Sequence, residues 1–139
     1  MSLKDKTALI TGAGQGIGKA CAEVFGERGA RLILLDKNRR TLPHVARDLK
    51  VKGVDVVFRI IDLTRTQPLV KMVEELLADH RIDILVNNAG FDRPGITAKI
   101  DKTDYNAVLS IHLGVPFLLS KLLLPQMRAE VVYRLVNER

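Results

Sequence analysis

The chain has 139 residues, enough for one domain at about 100 to 200 residues each and too few for a separate substrate domain. With 47% hydrophobic and 27% charged residues it has the make-up of a globular protein, which excludes disordered, collagen-like and disulfide-scaffold classes. The net charge of +6 comes from basic residues scattered along the chain, and 4% aromatic content offers little to stack bases, so nucleic acid is not an expected partner.

Cys21 is the one cysteine and has no internal partner, and the opening Met1-Ser2-Leu3-Lys4-Asp5-Lys6 lacks the apolar core of a signal peptide. The apolar stretch Leu113 to Leu124 is interrupted by Gly114, Pro116, Ser120 and Lys121, short of the roughly 20 residues that cross a bilayer. A soluble, cytoplasmic protein in a reducing compartment, without a membrane partner, is the expectation.

In chain order, Thr7-Ala8-Leu9-Ile10 reads as a strand apolar on both faces, running into glycines 12, 14, 16 and 18. From Ile17, the residues Ala20, Cys21, Val24 and Phe25 recur at helical spacing, with Gly29 where a C-terminal cap belongs. Leu32 to Leu35 is a second strand ending at Asp36, followed by a helix over Pro43 to Lys50 and a turn at Gly53. Val54 to Ile61 is a third strand ending at Asp62. A third helix opens with Thr66 as N-cap and Pro68 just inside it, carrying Leu69, Val70, Val73, Leu76 and Leu77 on one face. Ile82 to Val86 is a fourth strand, closed by Asn87-Asn88-Ala89-Gly90. A loop over Phe91 to Ile100 precedes a long helix from Thr103 to Arg128, kinked at Pro116, and Val131 to Val136 begins a fifth strand. Strands alternating with helices predict parallel pairing and right-handed crossovers: an α/β, doubly wound parallel sheet of Rossmann type over residues 1–139, one domain ending near the start of its fifth strand.

Thr11-Gly12-Ala13-Gly14-Gln15-Gly16-Ile17-Gly18 lies between a strand and a helix, where glycines let the backbone turn tightly and approach a pyrophosphate held by helix N-terminal amides. It is not a P-loop. Ala13 stands where the first glycine would be needed, and Ala20 where Ser or Thr would follow Lys19. Nor is it G-x-G-x-x-G, since Ile17 falls in the last place. It fits T-G-x-x-x-G-x-G, with Gly12, Gly16 and Gly18 as the key positions and Gln15 and Ile17 in the same dinucleotide-binding turn.

Asp36 follows Gly18 by 18 residues, near the spacing of an acid that binds an adenosine ribose. A carboxylate there accepts hydrogen bonds from the 2'-hydroxyl and repels a 2'-phosphate, so NAD is favoured over NADP. Lys37, Arg39 and Arg40 pull the other way, although Gln15 leaves the turn itself without a basic residue. The alternative role for Asp36 is helix capping.

These motifs together resemble the classical short-chain dehydrogenase/reductase family: Thr11 to Gly18, Asp36, Asp62-Leu63 after the third strand, and Asn87-Asn88-Ala89-Gly90 after the fourth, in order, from Lys4 to about Arg128. The resemblance implies that Asp62 and the Leu63 backbone contact the adenine, that Asn88, Ala89 and Gly90 line the nicotinamide-side ribose, and that Asn87 helps hold the central strands together. Read from the residues alone, the alternative for Asp62 is an ordinary strand-end turn residue.

The family's catalytic serine lies after the fifth strand, and its Tyr-x-x-x-Lys pair on the next helix; the tyrosine is the acid or base, the lysine lowers its pKa, and the serine polarises the carbonyl. Here Tyr105 is followed four residues later by Leu109, and Tyr133 by Asn137, so neither makes the pair. The family's helical asparagine, in V-N-L, falls on Ile111-His112-Leu113. His112 occupies that place, as a proton-relay candidate or a structural histidine. His44 and His80 belong to no metal-ligand set, and no metal is expected. Arg134-Leu135-Val136-Asn137 resembles the start of the family's fifth strand, so the cofactor half is expected here, with the catalytic serine and the Tyr-x-x-x-Lys pair absent from this chain. The expectation is an oxidoreductase binding NAD(H) for hydride transfer to or from a small-molecule carbonyl or secondary alcohol; the resemblance implies a homo-oligomer, with the helix spanning Thr103 to Arg128 at the interface, although its leucines equally suit a core helix. The alternative is a non-catalytic nucleotide-binding or dimerisation module.

Overall fold

In the computed structural model, which describes residues 2–92 and 94–127, four strands stand in the order β3-β2-β1-β4: β1 Thr7–Thr11, β2 Arg31–Asp36, β3 Val56–Ile60 and β4 Ile84–Val86. All pairings are parallel, with Leu9 of β1 opposite Ile33 of β2 on one side and Leu85 of β4 on the other. Helices α1 Gly16–Glu27, α2 Thr41–Val51 and α3 Thr66–Asp79 make the connections. The strand order advances from β1 to β3 and then reverses to β4. That reversal opens a crevice at the carboxyl ends of β1 and β4, the place where sheets of this kind take ligands.

The two-residue period of a strand sends alternate side chains to opposite faces. Ala8 and Ile10 of β1 with Leu32 and Leu34 of β2 pack against Ala22 of α1 and Leu42, Val45, Ala46 and Leu49 of α2. Leu9, Ile33 and Leu35 point the other way, onto Leu69, Met72, Val73 and Leu76 of α3. Helices cover both faces, which is why these strands are apolar throughout. At the lower end of the sheet Thr7 N–H donates to the Asp83 carboxylate (3.1 Å) and Asp83 N–H donates back to the Thr7 carbonyl (2.9 Å).

Several expected boundaries move for local reasons. α2 begins at Thr41, two residues before Pro43, because the Asn38 side chain accepts the N–H groups of Arg40 (2.9 Å) and Thr41 (3.1 Å). Pro43 then lies in the first turn, where its missing N–H costs nothing. Val54 donates to the Leu49 carbonyl (3.1 Å), closing α2, so β3 starts only at Val56. β4 is shorter than expected, Ile84–Val86, since Ile82 and Asp83 lead into it. Thr66 is the first residue of α3 rather than its N-cap, which is Arg65, and no side chain caps this helix. Gly29 closes α1 as expected, donating to the Gly26 carbonyl at 2.9 Å.

The last helical run departs most. After a short 3-10 turn at Thr97–Lys99 come α4 Lys102–Leu109, a π-helical turn Ser110–Gly114 and α5 Val115–Leu123. The irregularity is thus upstream of Pro116. A proline ring clashes with the carbonyl four residues earlier, here that of His112, and a widened turn relieves the clash without breaking the helix. Gly114 and Pro116 therefore do not interrupt it: Lys102–Leu123 is a run of 22 residues, long and apolar enough by length and composition to cross a membrane, contrary to the expectation for Leu113 to Leu124. Ile111, Val115, Leu119 and Leu123 of this run are nevertheless buried with α3 against the sheet. The expected fifth strand, Val131 to Val136, lies outside the described residues.

Candidate functional site

β1 ends at Thr11, and its hydroxyl ties the sheet together beneath the crevice. Thr11 Oγ1 accepts the N–H groups of Asn88 and Ala89, both at 3.0 Å, and donates to the Val86 carbonyl (3.2 Å). The Asn88 amide completes the clasp by donating to the carbonyls of Thr11 (3.1 Å) and Gly12 (3.2 Å). The Asn88 side chain thus turns back toward β1 and itself helps to hold the central strands together. Thr11 heads the glycine motif, but nothing local marks this role, because its partners lie at and just after the end of β4, more than 70 residues away. Replacing it with Val leaves two N–H groups without an acceptor at a part-buried position, a loss of about 1–3 kcal/mol of stability. The urea midpoint of Thr11→Val should fall accordingly, with an unchanged slope.

Above this clasp the glycine turn is built for close approach. Gly18 is buried, and a Cβ there would run into the Gly12 carbonyl and come within 2.6 Å of the Asn88 amide nitrogen. Gly16 is the opposite case: its φ is +54°, and a Cβ there would meet nothing within 4 Å. The first turn of α1 has no side-chain cap from Gln15 and no acidic residue. Free amides and an open surface at a helix N-terminus form a cradle for an anion.

A cleft of about 300 Å³ extends from this cradle. Its floor and near wall are Gly12, Gln15, Gly16 and Ile17, and its β2–β3 wall is Asp36, Lys37, Ile61, Asp62, Leu63 and Thr64. Asn88, Ala89, Gly90 and Phe91 after β4, with Ile111, form the third side. Every residue expected to bind cofactor therefore lines one cleft except Gly18, which supports it from behind. The sequence marks Lys37 only as a counterweight to Asp36, and it does not mark Ile61, Thr64, Phe91 or Ile111 as site residues.

The half-buried Asp36 carboxylate accepts the Gly14 N–H (2.8 Å) with one oxygen and the Asn38 N–H (2.9 Å) with the other. Its engagement is with the glycine turn and the start of the α2 loop, and each oxygen keeps lone pairs for a further donor. Asp62 accepts from the Thr64 hydroxyl (2.7 Å) and backbone N–H (3.0 Å). The hydroxyl bond foremost holds its pKa below the usual carboxylate value against the opposing effect of burial, helped by the backbone bond and by the positive charges of Lys37 and Arg65 nearby. Asp62 is thus both turn residue and cleft residue.

His112 sits in the π-helical turn, outside the cleft lining. Its Nε2 is 3.1 Å from the Phe91 carbonyl, and its ring lies against Gly90, where a Cβ would come within 2.5 Å of the imidazole. The Lys37 ammonium stands over the Phe91 ring, 5.2 Å from the centroid. Tyr105 is exposed on α4, and Tyr133 lies outside the described residues. Among the described residues no three His, Cys, Asp or Glu side chains gather as a metal-ligand set.

A doubly wound sheet with a glycine turn and a strand-end acid at its crevice defines a Rossmann-type fold. The chain belongs to the short chain dehydrogenase family, whose profile matches residues 6–137. It is 34% identical over 131 residues to an oxidoreductase of Thermotoga maritima described as uncharacterized, covering 94% of this chain and 51% of that protein. It is 31% identical over 128 residues to the 3-oxoacyl-(acyl-carrier-protein) reductase FabG of the same organism, covering 91% and 52%. Among solved structures, L-sorbose reductase from Gluconobacter frateurii, complexed with NADPH and L-sorbose, superposes with a TM-score of 0.87 at 32% identity, covering 94% of this chain and 50% of that one. The chain spans about half the length of the curated relatives it matches.

Proposed function

We propose that residues 1–139 form the dinucleotide-binding unit of an oxidoreductase that moves a hydride between NAD(H) and a small-molecule carbonyl or secondary alcohol. The observation that carries this reading is the open cradle at Gly16, continuous with a cleft walled by Asp36 on one side and Asn88 to Gly90 on the other. Gly12, Gln15, Gly16 and Ile17 would hold the pyrophosphate, Asp36 the adenosine ribose, Asp62 and Leu63 the adenine, and Asn88, Ala89 and Gly90 the second ribose. Bound there, the nicotinamide would supply the hydride chemistry. Neither tyrosine has a lysine four residues on, so the acid/base pair of the family's reaction has no counterpart within these residues. A lone cysteine fits a cytoplasmic, reducing setting.

The preference for NAD rests on Asp36. The NADPH complex of the L-sorbose reductase weighs against it as a property of that relative, and Lys37 weighs against it within this chain. The bias we propose comes from charge. A carboxylate that accepts ribose hydroxyls gains hydrogen bonds with NAD and meets a second anion with NADP. NADH should bind about tenfold or more tightly than NADPH, as expected for one charge-assisted hydrogen bond worth about 1.5–3 kcal/mol. Fluorescence titration with both nucleotides tests this; equal or stronger NADPH binding would reject the assignment.

The second reading, a nucleotide-binding or dimerising module without catalysis, is favoured by one surface. Tyr105, Leu109, Leu113 and Phe117 recur every four residues and form an exposed apolar stripe along the helical run, with Leu113 and Phe117 each 67% exposed. A second copy of the chain would cover it.

A further inference from the structure

We infer that Phe91 tunes the dinucleotide preference of this cleft by holding the Lys37 ammonium on its ring, across the crevice, and so withholding it from a ribose 2'-phosphate. The inference rests on the proposed dinucleotide reading.

Lys37 leaves the end of β2 directly after Asp36, whereas Phe91 follows Gly90 in the loop after β4, which ends at Val86. These strands flank β1 on opposite sides, so the 5.2 Å contact between Nζ and the ring centroid links the two walls of the cleft above the glycine turn. The aromatic platform is fixed from behind. His112 holds the Phe91 carbonyl, and its ring leaves no room for a side chain at Gly90. Phe91 also packs on the buried layer that contains Leu35, Leu63 and Ile111.

Among the described residues lining the cleft, Lys37 is the sole cation, facing two carboxylates, Asp36 and Asp62. It forms no ion pair within 4.0 Å with either of them. A 2'-phosphate would bring negative charge beside Asp36, and Lys37 is the group able to neutralise it. To do so it must leave the ring, whose face attracts an ammonium. NAD carries no 2'-phosphate for Lys37 to meet, so the ring biases the cleft against NADP.

The test is titration of the full 139-residue chain with NADH and with NADPH, for the wild type, Phe91→Leu, Phe91→Tyr, Lys37→Gln and the Phe91→Leu/Lys37→Gln pair. Phe91→Leu should raise the ratio of NADPH to NADH affinity about two- to fivefold, the range of an exposed cation–π contact. Phe91→Tyr, which keeps the ring, should keep the wild-type ratio. Lys37→Gln should weaken NADPH, and in its background Phe91→Leu should no longer change the ratio. An equal change for both nucleotides, or the same change without Lys37, overturns the inference. So does a Phe91→Leu chain that has lost its helical circular dichroism if Lys37→Gln, an exposed change, leaves NADPH binding as it was. A wild-type chain that binds neither nucleotide overturns the dinucleotide reading itself, a separate result.

Discussion

Residues 1–139, purified, saturated with NADH and mixed with a panel of aldehydes and ketones, are expected to leave the nicotinamide absorbance unchanged. Delivering a hydride to a carbonyl creates an alkoxide, and a positioned acid that protonates it is typically worth about 100- to 10,000-fold in rate. The candidates within reach are poor. Tyr105 is 57% exposed and has Leu109 where a lysine would tune it. His112 spends Nε2 on the Phe91 carbonyl. A carbonyl only accepts, so that bond commits the Nε2 proton to the loop rather than to a substrate. Absorbance at the reduced-nicotinamide band, followed with mass-verified protein, decides the matter. Clear turnover that vanishes in His112→Ala would make His112 the acid and overturn the expectation.

Gly16→Val should abolish dinucleotide binding while leaving the far-ultraviolet circular dichroism close to wild type. The space beside Gly16 is empty of protein atoms, so the new side chain displaces the ligand rather than the fold, and a β-branched residue at φ +54° also strains the turn. Gly18→Ala gives the contrasting result. Its methyl group would press on the Gly12 carbonyl and the Asn88 amide, both fixed by the clasp to Thr11. Overpacking of that kind costs about 1–3 kcal/mol, so stability falls along with binding. Calorimetric titration with NADH and urea denaturation separate the two. Normal NADH binding by Gly16→Val would mean that the glycine turn is not the cofactor site.

What the sequence revealed followed the range of its signals. The glycine turn, Asp36 and the Asn88-Ala89-Gly90 corner were legible because each sits where a strand ends, and strand ends are marked locally by apolar runs giving way to polar or glycine residues. The alternation of strands and helices made the parallel order legible too. The Thr11 clasp and the Lys37–Phe91 contact were not, since both depend on β1 and β4 being neighbours, a pairing of residues 75 or more apart in Thr11 with Val86, Asn88 and Ala89. The start of α2 was missed because an Asn38 side chain, rather than Pro43, initiates it. Asn87 and Asn88 stand side by side at a strand end, and nothing local in the sequence marks Asn88 as the one whose side chain turns back toward β1.

The wide turn at Ser110–Gly114 has a consequence for rotational phase. In a regular α-helix each step of four residues overshoots a full turn by about 40°, so side chains four apart drift steadily around the axis. Ile111, Val115, Leu119 and Leu123 are four apart and all buried, a run that such drift would carry away from one layer. The π-helical turn takes up part of the overshoot between Ile111 and Val115, while His112, on the adjoining face, keeps its bond to Phe91. One helix thereby stays in register with two clients at once, the packed layer above α3 and the mouth of the cleft.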